Sequence, residues 1–241
     1  MAVDVGGTGL KASVLDTEGK MEHDKVRVPT PYPLTPKRLI TAIADLTRGL
    51  PPYDRISVGF PGMVRAGHII SAPHFVSPKG PGGKPNKELT EAWAGFDLQR
   101  SLSVALDKPT RVANDADLQG SAVIKGDGLE VVLTLGTGFG SAMFYEGRLL
   151  PHIELAQHPF LKGKTYNEAV GEAAYESAGK KKWNARVAEA IEAVRALTFF
   201  DHCYVGGGNS VRVTIDLPDS VTLVDNNAGI LGGIKLWERT G

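Results

Sequence analysis

The chain has 241 residues, and its 27 Lys and Arg residues balance 27 Asp and Glu residues, so its formal net charge is zero. This balance argues against a nucleic-acid or anionic-membrane partner, because such proteins normally carry a basic excess. With 42% apolar and 22% charged residues, the composition excludes disorder as the dominant state. No apolar run reaches the roughly 18 residues of a membrane span, so the sequence predicts a cytoplasmic protein.

The first glycine cluster follows a short apolar segment at residues 2–5, which we predict to be a buried strand. Residues 10–15 and 21–28 are predicted as two further strands, joined by a turn. Residues 7–12 also match the dinucleotide fingerprint G-x-G-x-x-G/A, which requires a helix directly after the loop. No helical spacing follows the loop. A dinucleotide-dependent enzyme is therefore the least favoured of three hypotheses, and the two favoured ones are given below.

The same arrangement recurs about 130 residues later. Residues 129–135 are a strongly apolar strand candidate, residues 136–140 form a second glycine loop, and a further strand leads to a turn at residues 146–148. The repeat predicts an internal duplication and two similar lobes that face each other; chance similarity of two hairpins is the alternative.

Strands and helices alternate along the rest of the chain, which indicates an α/β protein. Predicted helices occupy residues 35–48, 97–106, 116–125, 166–178, 183–197 and 228–237, and predicted strands occupy 55–60, 111–113, 202–205 and 221–224. Residues 77–87, rich in proline and glycine, are predicted to be a surface loop and a candidate lid. The single cysteine, Cys203, lies in an apolar stretch and is expected to be a buried thiol.

The glycine loops suggest phosphate binding, because successive glycines let backbone N–H groups converge on an anion. Thr8 adds a hydroxyl donor, Lys11 a positive charge, and Asp4 a carboxylate placed to hold Mg²⁺ directly or through water. A turn-capping role for Asp4 and an exposed strand position for Lys11 are the alternatives. Asp115 follows a predicted strand and opens a helix, so it is the candidate general base; a helix N-cap is its alternative.

Five motifs together resemble the ROK family of sugar kinases, over essentially the whole chain. They are DVGGTGLK at residues 4–11, FPG at 60–62, NDAD at 114–117, LGTGFG at 135–140 and VGGG at 205–208. The resemblance implies the two-lobed, actin-like ATPase fold (ribonuclease H-like, duplicated), with sugar in the cleft. Residues 1–113 would form the N-terminal lobe and residues 114–241 the C-terminal lobe, with the last helix packing back on the N-terminal lobe.

The resemblance also implies roles for individual residues. Asp115 becomes the catalytic base and Asp4 the metal-binding residue. The implied sugar-binding residues are Asn114, Glu154, Gln157, His158, Glu168, His74 and Gly62, with Glu172 second to Glu168. The implied donor-binding residues are Gly6, Gly7, Thr8, Lys11, Gly136, Thr137, Gly138, Gly206, Gly207 and Gly208.

The chain departs from the family pattern at two sugar positions. In the E-x-G-H motif, Gln157 stands where the family has histidine, and His158 comes one position late. His74 stands where an asparagine usually contacts the sugar. Because of these departures, the motifs do not specify the identity of the sugar. The departures also motivate a second hypothesis, a sugar- or nucleotide-binding sensor with weak catalysis.

The resemblance further implies cofactors and partners. The chain looks most similar to the polyphosphate/ATP glucokinases of the family, so ATP or polyphosphate is the expected donor, with Mg²⁺. The family's Cys-rich zinc motif is missing, so no zinc is expected. A DNA-binding role is not expected, since no helix-turn-helix precedes the first strand. Homodimers are common in the family.

Overall fold

The computed structural model describes residues 1–224 and 228–239, which form two compact units. The first comprises Met1–Gln119 and Gly229–Glu238, and the second comprises Gly120–Ala228 together with Arg239. The structure divides the chain after residue 119, whereas the sequence predicts the division after residue 113. The difference arises because the start of the helix Asp115–Val123 packs within the first unit. Leu118 of that helix, for example, lies against Gly59.

Strands and helices alternate in both units. Residues 1–123 form β1 (Ala2–Val5), β2 (Gly9–Ser13), β3 (Val26–Pro29), α1 (Pro36–Thr47), β4 (Ile56–Phe60), β5 (Met63–Arg65), β6 (His68–Ser71), α2 (Lys87–Trp93), β7 (Phe96–Asp97), α3 (Leu98–Leu106), β8 (Thr110–Asn114) and α4 (Asp115–Val123). The later residues form β9 (Leu129–Leu135), β10 (Phe139–Tyr145), β11 (Arg148–Leu149), β12 (Pro159–Leu161), β13 (Lys164–Thr165), α5 (Tyr166–Val170), α6 (Glu172–Ala178), α7 (Lys180–Thr198), β14 (His202–Gly206), β15 (Val221–Leu223) and α8 (Ala228–Arg239).

Each unit has a five-stranded sheet, and the two sheets share one topology. Their strand orders are β3-β2-β1-β4-β8 and β11-β10-β9-β14-β15. In both, the first three strands pair antiparallel and the last two join in parallel. This correspondence confirms the predicted duplication. In both copies a glycine loop joins the central strand to its antiparallel neighbour.

The first glycine loop leads into a strand rather than a helix. β2 begins at Gly9 and pairs with β1 along its length. The helix that a dinucleotide fingerprint needs is therefore absent at this loop, which removes the structural basis of the dinucleotide hypothesis.

Four predictions differ from the structure. The predicted strand at 21–28 is regular only from Val26, and Met21 makes an isolated bridge with Leu15. The predicted helix at 166–178 is two helices, because Gly171 takes an extended conformation between them. In the predicted helix at 183–197, the sequence places Leu197 on one apolar stripe with Trp183, Val187, Ile191 and Val194, but Leu197 is 66% exposed. Helix α2, which Asn86 caps by accepting from the Leu89 N–H, lies partly in the predicted loop.

Separate apolar cores stabilise the two units. In the first, Phe60, Phe75 and Trp93 are fully buried, and their ring centroids lie 5.4–5.7 Å apart. In the second, Trp183 of α7 is buried and donates its indole N–H to the Val170 carbonyl. Within residues 1–224 and 228–239, no helix combines the length and apolar character needed to cross a membrane.

The Cys203 thiol is expected to react slowly with thiol reagents in the folded protein. Burial raises its pKa from 9.0 to about 12, so the reactive thiolate is scarce at neutral pH. We expect the thiol to react with a disulfide reagent at the rate of unfolding in native buffer, and at once in denaturant. A rapid native reaction would contradict the buried placement.

Candidate active site

The first glycine loop is a tight hairpin whose polar backbone groups are largely fixed. The Gly6 N–H donates to the Gly9 carbonyl at 3.0 Å, and the Gly6 carbonyl accepts from the Thr30 hydroxyl at 2.6 Å. The Tyr32 hydroxyl donates to the Gly7 carbonyl at 2.8 Å, and burial raises the pKa of Tyr32, which keeps it protonated. The Gly6 N–H is therefore engaged inside the loop, and phosphate binding would fall to the N–H groups after it.

Asp4 and Lys11 form an ion pair directly beside this loop. The residues are register partners on β1 and β2, and Lys11 Nζ lies 3.0 Å from Asp4 Oδ2. Both side chains keep substantial exposure, 52% for Asp4 and 40% for Lys11. A carboxylate and an ammonium at the mouth of a glycine loop remain accessible to an anion and its metal ion.

Asp115 begins α4 close to the same stretch of sheet. On β4, Gly59 is the register partner of Asp4 on one side and of Ala113 on the other. The Asp115 Cα lies 3.7 Å from the position that a Cβ atom on Gly59 would take. Because Gly59 has no side chain, the start of α4 can lie close to β4. Strand β4 is the neighbour of β1, which carries Asp4.

The contacts of Asn114 bear on the N-cap alternative for Asp115. Asn114 is buried, and its Oδ1 accepts from the Ala116 N–H at 2.8 Å while its Nδ2 donates to the Gly62 carbonyl at 2.9 Å. Asp115 is the first helical residue, and its Oδ1 also accepts from the Ala116 N–H, at 2.9 Å. Because Asn114 precedes the helix and bonds its second N–H, the capping position belongs to Asn114. Asp115 is only partly buried.

His74 and the candidate lid lie against the first loop. The His74 backbone carbonyl accepts from the Tyr32 hydroxyl at 3.2 Å, and its imidazole is exposed. A Cβ atom on Gly7 would lie 2.7 Å from Pro81 Cγ and 3.8 Å from His74 Cβ. The structure therefore brings His74 and Pro81 next to the glycine loop, although the sequence gives them no common motif.

The second glycine loop is held by three neighbours in its own unit. The Gly136 N–H donates to the Gly138 carbonyl at 2.9 Å, much as Gly6 does in the first loop. Asn209 Nδ2 donates to the Gly136 carbonyl at 2.9 Å, and Asn167 Oδ1 accepts from the Phe139 N–H at 3.0 Å. The Glu172 N–H also reaches the Gly136 carbonyl, at 3.1 Å.

Sequence reasoning did not identify Asn167 and Asn209. Asn209 directly follows the Gly206–Gly208 run and is buried, and its backbone N–H bonds the Leu135 carbonyl at 2.8 Å. The glycine run of β14 and the second glycine loop are thus joined through one asparagine. A polar residue immediately after a glycine run was the available signal.

Glu154, the candidate sugar ligand, caps a single turn of 3-10 helix at Leu155–Gln157. Its Oε1 accepts from the Ala156 N–H at 3.2 Å, and the buried His152 has its Nε2 4.0 Å from Glu154 Oε2. The Gln157 and His158 side chains are exposed, with the His158 ring centroid 6.3 Å from that of Tyr166. One-third exposure leaves the Glu154 carboxylate accessible to a ligand.

The two helical glutamates make local contacts. Glu168 completes a capping box, with its Oε2 accepting from the Thr165 N–H at 2.9 Å. Glu172 Oε1 accepts from Arg212 Nη1 at 3.1 Å. The alternative role for both residues is a solvated helix face: Glu168 is exposed and Glu172 is half-buried, and each carboxylate already accepts a hydrogen bond.

The donor set of the first unit fits a magnesium ion. Among the residues that the structure describes, no group of three or more His, Cys, Asp or Glu side chains is arranged to hold a metal. Mg²⁺ is normally held by only one or two carboxylates, with substrate phosphates and water filling the other positions. The accessible carboxylate of Asp4 satisfies that requirement, with Asp115 one strand away.

The duplicated sheet order defines the class of protein: an actin-like ATPase fold, as the resemblance implied. Residues 1–151 match the ROK family, which is more than half of the chain, and the chain belongs to that family.

Two similar proteins match almost the whole chain, and a third matches part of it. A polyphosphate glucokinase of Mycobacterium tuberculosis (strain CDC 1551 / Oshkosh) is 28% identical over 247 residues, covering 95% of this chain and 88% of that protein. The crystal structure of an inorganic polyphosphate/ATP-glucomannokinase from Arthrobacter sp. strain KM superposes with a TM-score of 0.76 at 28% identity, covering 98% and 96% of the two chains. An N-acetylmannosamine kinase of Escherichia coli O7:K1 is 30% identical over 155 residues, covering 62% of this chain and 48% of that protein.

Proposed function

We propose that the protein is a sugar kinase that transfers a phosphoryl group from ATP or polyphosphate to a hydroxyl of a glucose-like hexose. The observation that carries the proposal is the arrangement in the first unit: the Asp4–Lys11 pair beside a glycine loop, with Asp115 across Gly59. Phosphoryl transfer needs anion binding, charge neutralisation and a base, and these residues offer all three.

Asp115 would accept the proton of the attacking sugar hydroxyl. Asp115 lies at the first turn of α4 and is only partly buried, so its carboxylate is accessible to a substrate hydroxyl. Asn114 holds the helix start in place through Gly62, so the base is carried on a rigid element. Gly62 and His74 are further sugar-binding candidates in this unit.

The terminal phosphates of the donor would bind at the first glycine loop, where Lys11 supplies positive charge and Thr8 a hydroxyl. Asp4 would hold Mg²⁺, directly or through water. When bound, that ion neutralises phosphate oxygens during transfer. The exposure of Asp4 and its pairing with Lys11 support this assignment, because the lysine can exchange its partner for a phosphate oxygen as the metal takes the carboxylate.

In the second unit, we assign Glu154 to a sugar hydroxyl, with Gln157, His158 and Glu168 as further candidates. Gly136, Thr137 and Gly138 would contact donor phosphates, and Gly206, Gly207 and Gly208 the nucleotide. The bonds of Asn209 and Asn167 fix the conformation of this loop before a ligand binds. This supports the assignment, because a preformed loop loses little conformational entropy on binding.

A coupled phosphorylation assay with Mg²⁺ tests the proposal. It crosses ATP and polyphosphate against glucose, mannose, fructose, allose and N-acetylated hexoses. We expect saturable product formation with at least one hexose. The active combination identifies both the phosphoryl donor and the acceptor sugar. If folded protein binds donor and sugar in calorimetry but forms no product with any pair, the kinase proposal fails and the sensor hypothesis replaces it.

A further inference from the structure

Arg27 lies directly over the first glycine loop, although no motif includes it. It stands on β3 as the register partner of Lys11, which in turn faces Asp4, so the three residues form a row across β3, β2 and β1. Arg27 Nε lies 2.8 Å, and Nη2 3.3 Å, from the position that a Cβ atom on Gly9 would take. The absence of a side chain at Gly9 is what lets the guanidinium settle against the loop.

Among the residues that the structure describes, the guanidinium of Arg27 has no charged or hydrogen-bonding partner. The residue is also exposed. Lys11, by contrast, is already paired with Asp4 at 3.0 Å. An exposed guanidinium beside a glycine loop can form charge-assisted hydrogen bonds to an anion.

The position of Arg27 favours an anion longer than one phosphate. Neighbouring strands are about 4.8 Å apart, so Arg27 lies one strand further from Asp4 than Lys11 does. The β3 strand is also the edge of its sheet, and Arg27 faces solvent. A phosphate chain can therefore continue outward past Arg27, and the planar guanidinium can bind phosphate oxygens in a bidentate manner.

We propose that Arg27 binds a phosphate group of the donor that is not transferred, and that it thereby favours a linear polyphosphate over ATP. The inference rests on the proposed kinase function and deepens it. Arg27 would be a donor-specificity residue because a linear polyphosphate can continue past it along the exposed sheet edge, whereas ATP carries only two phosphates beyond the transferred one.

The test compares Arg27→Ala and Arg27→Lys with the unmodified protein, using polyphosphate and ATP as alternative donors. Loss of one charged hydrogen-bonding group is expected to raise the KM for polyphosphate about 10-fold or more, with kcat within about twofold. The KM for ATP should change less than about threefold. Arg27→Lys should recover part of the polyphosphate affinity, because the charge remains and the bidentate geometry is lost.

Arg100→Ala is the matched control, since Arg100 is an exposed arginine on α3 outside the site. It removes the same charge and should leave both KM values unchanged. An equal loss with both donors, or no loss with polyphosphate, would overturn the proposal for Arg27.

Equilibrium binding of polyphosphate, measured by calorimetry without sugar, separates this inference from the kinase proposal. If no donor and hexose give product, the kinase proposal fails. A 10-fold weaker binding of polyphosphate by Arg27→Ala would still support the Arg27 site, and equal binding by both proteins would refute it.

Discussion

Asp115→Asn is expected to lower kcat by about 100- to 10,000-fold, the usual contribution of a general base. The amide retains an oxygen that can accept from the Ala116 N–H, so the start of α4 should keep its structure. It cannot take up the proton of the sugar hydroxyl at neutral pH. Sugar and donor affinities should therefore stay within a few-fold, and calorimetric titration together with steady-state kinetics measures both quantities.

The control for this substitution is Asp107→Asn. Asp107 is an exposed carboxylate that ends α3 in the left-handed conformation, which asparagine also adopts readily. It removes the same charge from the first unit and should leave turnover unchanged. Unchanged turnover in Asp115→Asn would remove Asp115 from the role of base, whatever the sugar is.

The sequence predicted the duplicated framework well because that framework depends on local patterns. Short apolar strands ending in glycine loops are visible in a single chain, and both sheets contain them in the same order. The caps of α1 and α3 were equally predictable, because threonine and aspartate are favoured N-cap residues. In the structure, Thr35 and Asp97 each accept from a backbone N–H three residues later. The break at Gly171 was harder to predict from the sequence, because a glycine residue does not by itself indicate which backbone conformation it adopts.

The contacts between distant segments could not be predicted in this way. Tyr32 and Pro81 reach Gly7 from segments 25 and 74 residues away in the chain, and nothing in the sequence pairs them with the loop. Asn209 bonds the second glycine loop and Arg27 lies beside Gly9 of the first, and both placements depend on register and tertiary packing. Periodicity specifies which face of an element is buried, but not which neighbour lies against it.

Gly207→Ala is expected to produce the largest loss of stability among single glycine substitutions near the candidate donor site. Gly207 has a φ of +87°, a conformation that alanine adopts only with strain. A Cβ atom there would also lie 2.7 Å from the backbone nitrogen of Leu135 and 2.8 Å from its carbonyl carbon. Strain and overlap together should lower the free energy of unfolding by about 3 kcal/mol, measured by urea denaturation.

The neighbouring glycine provides the control for that effect. A Cβ atom on Gly208 would meet no atom within 4 Å, and its φ lies outside the left-handed range, so Gly208→Ala should change stability little. Because Leu135 directly precedes the second glycine loop and accepts from the Asn209 N–H, its displacement in Gly207→Ala should also weaken donor binding. Similar stability in the two variants would mean that the chain directly after β14 does not pack closely against Leu135. The link between the glycine run and the second loop would then rest on Asn209 alone.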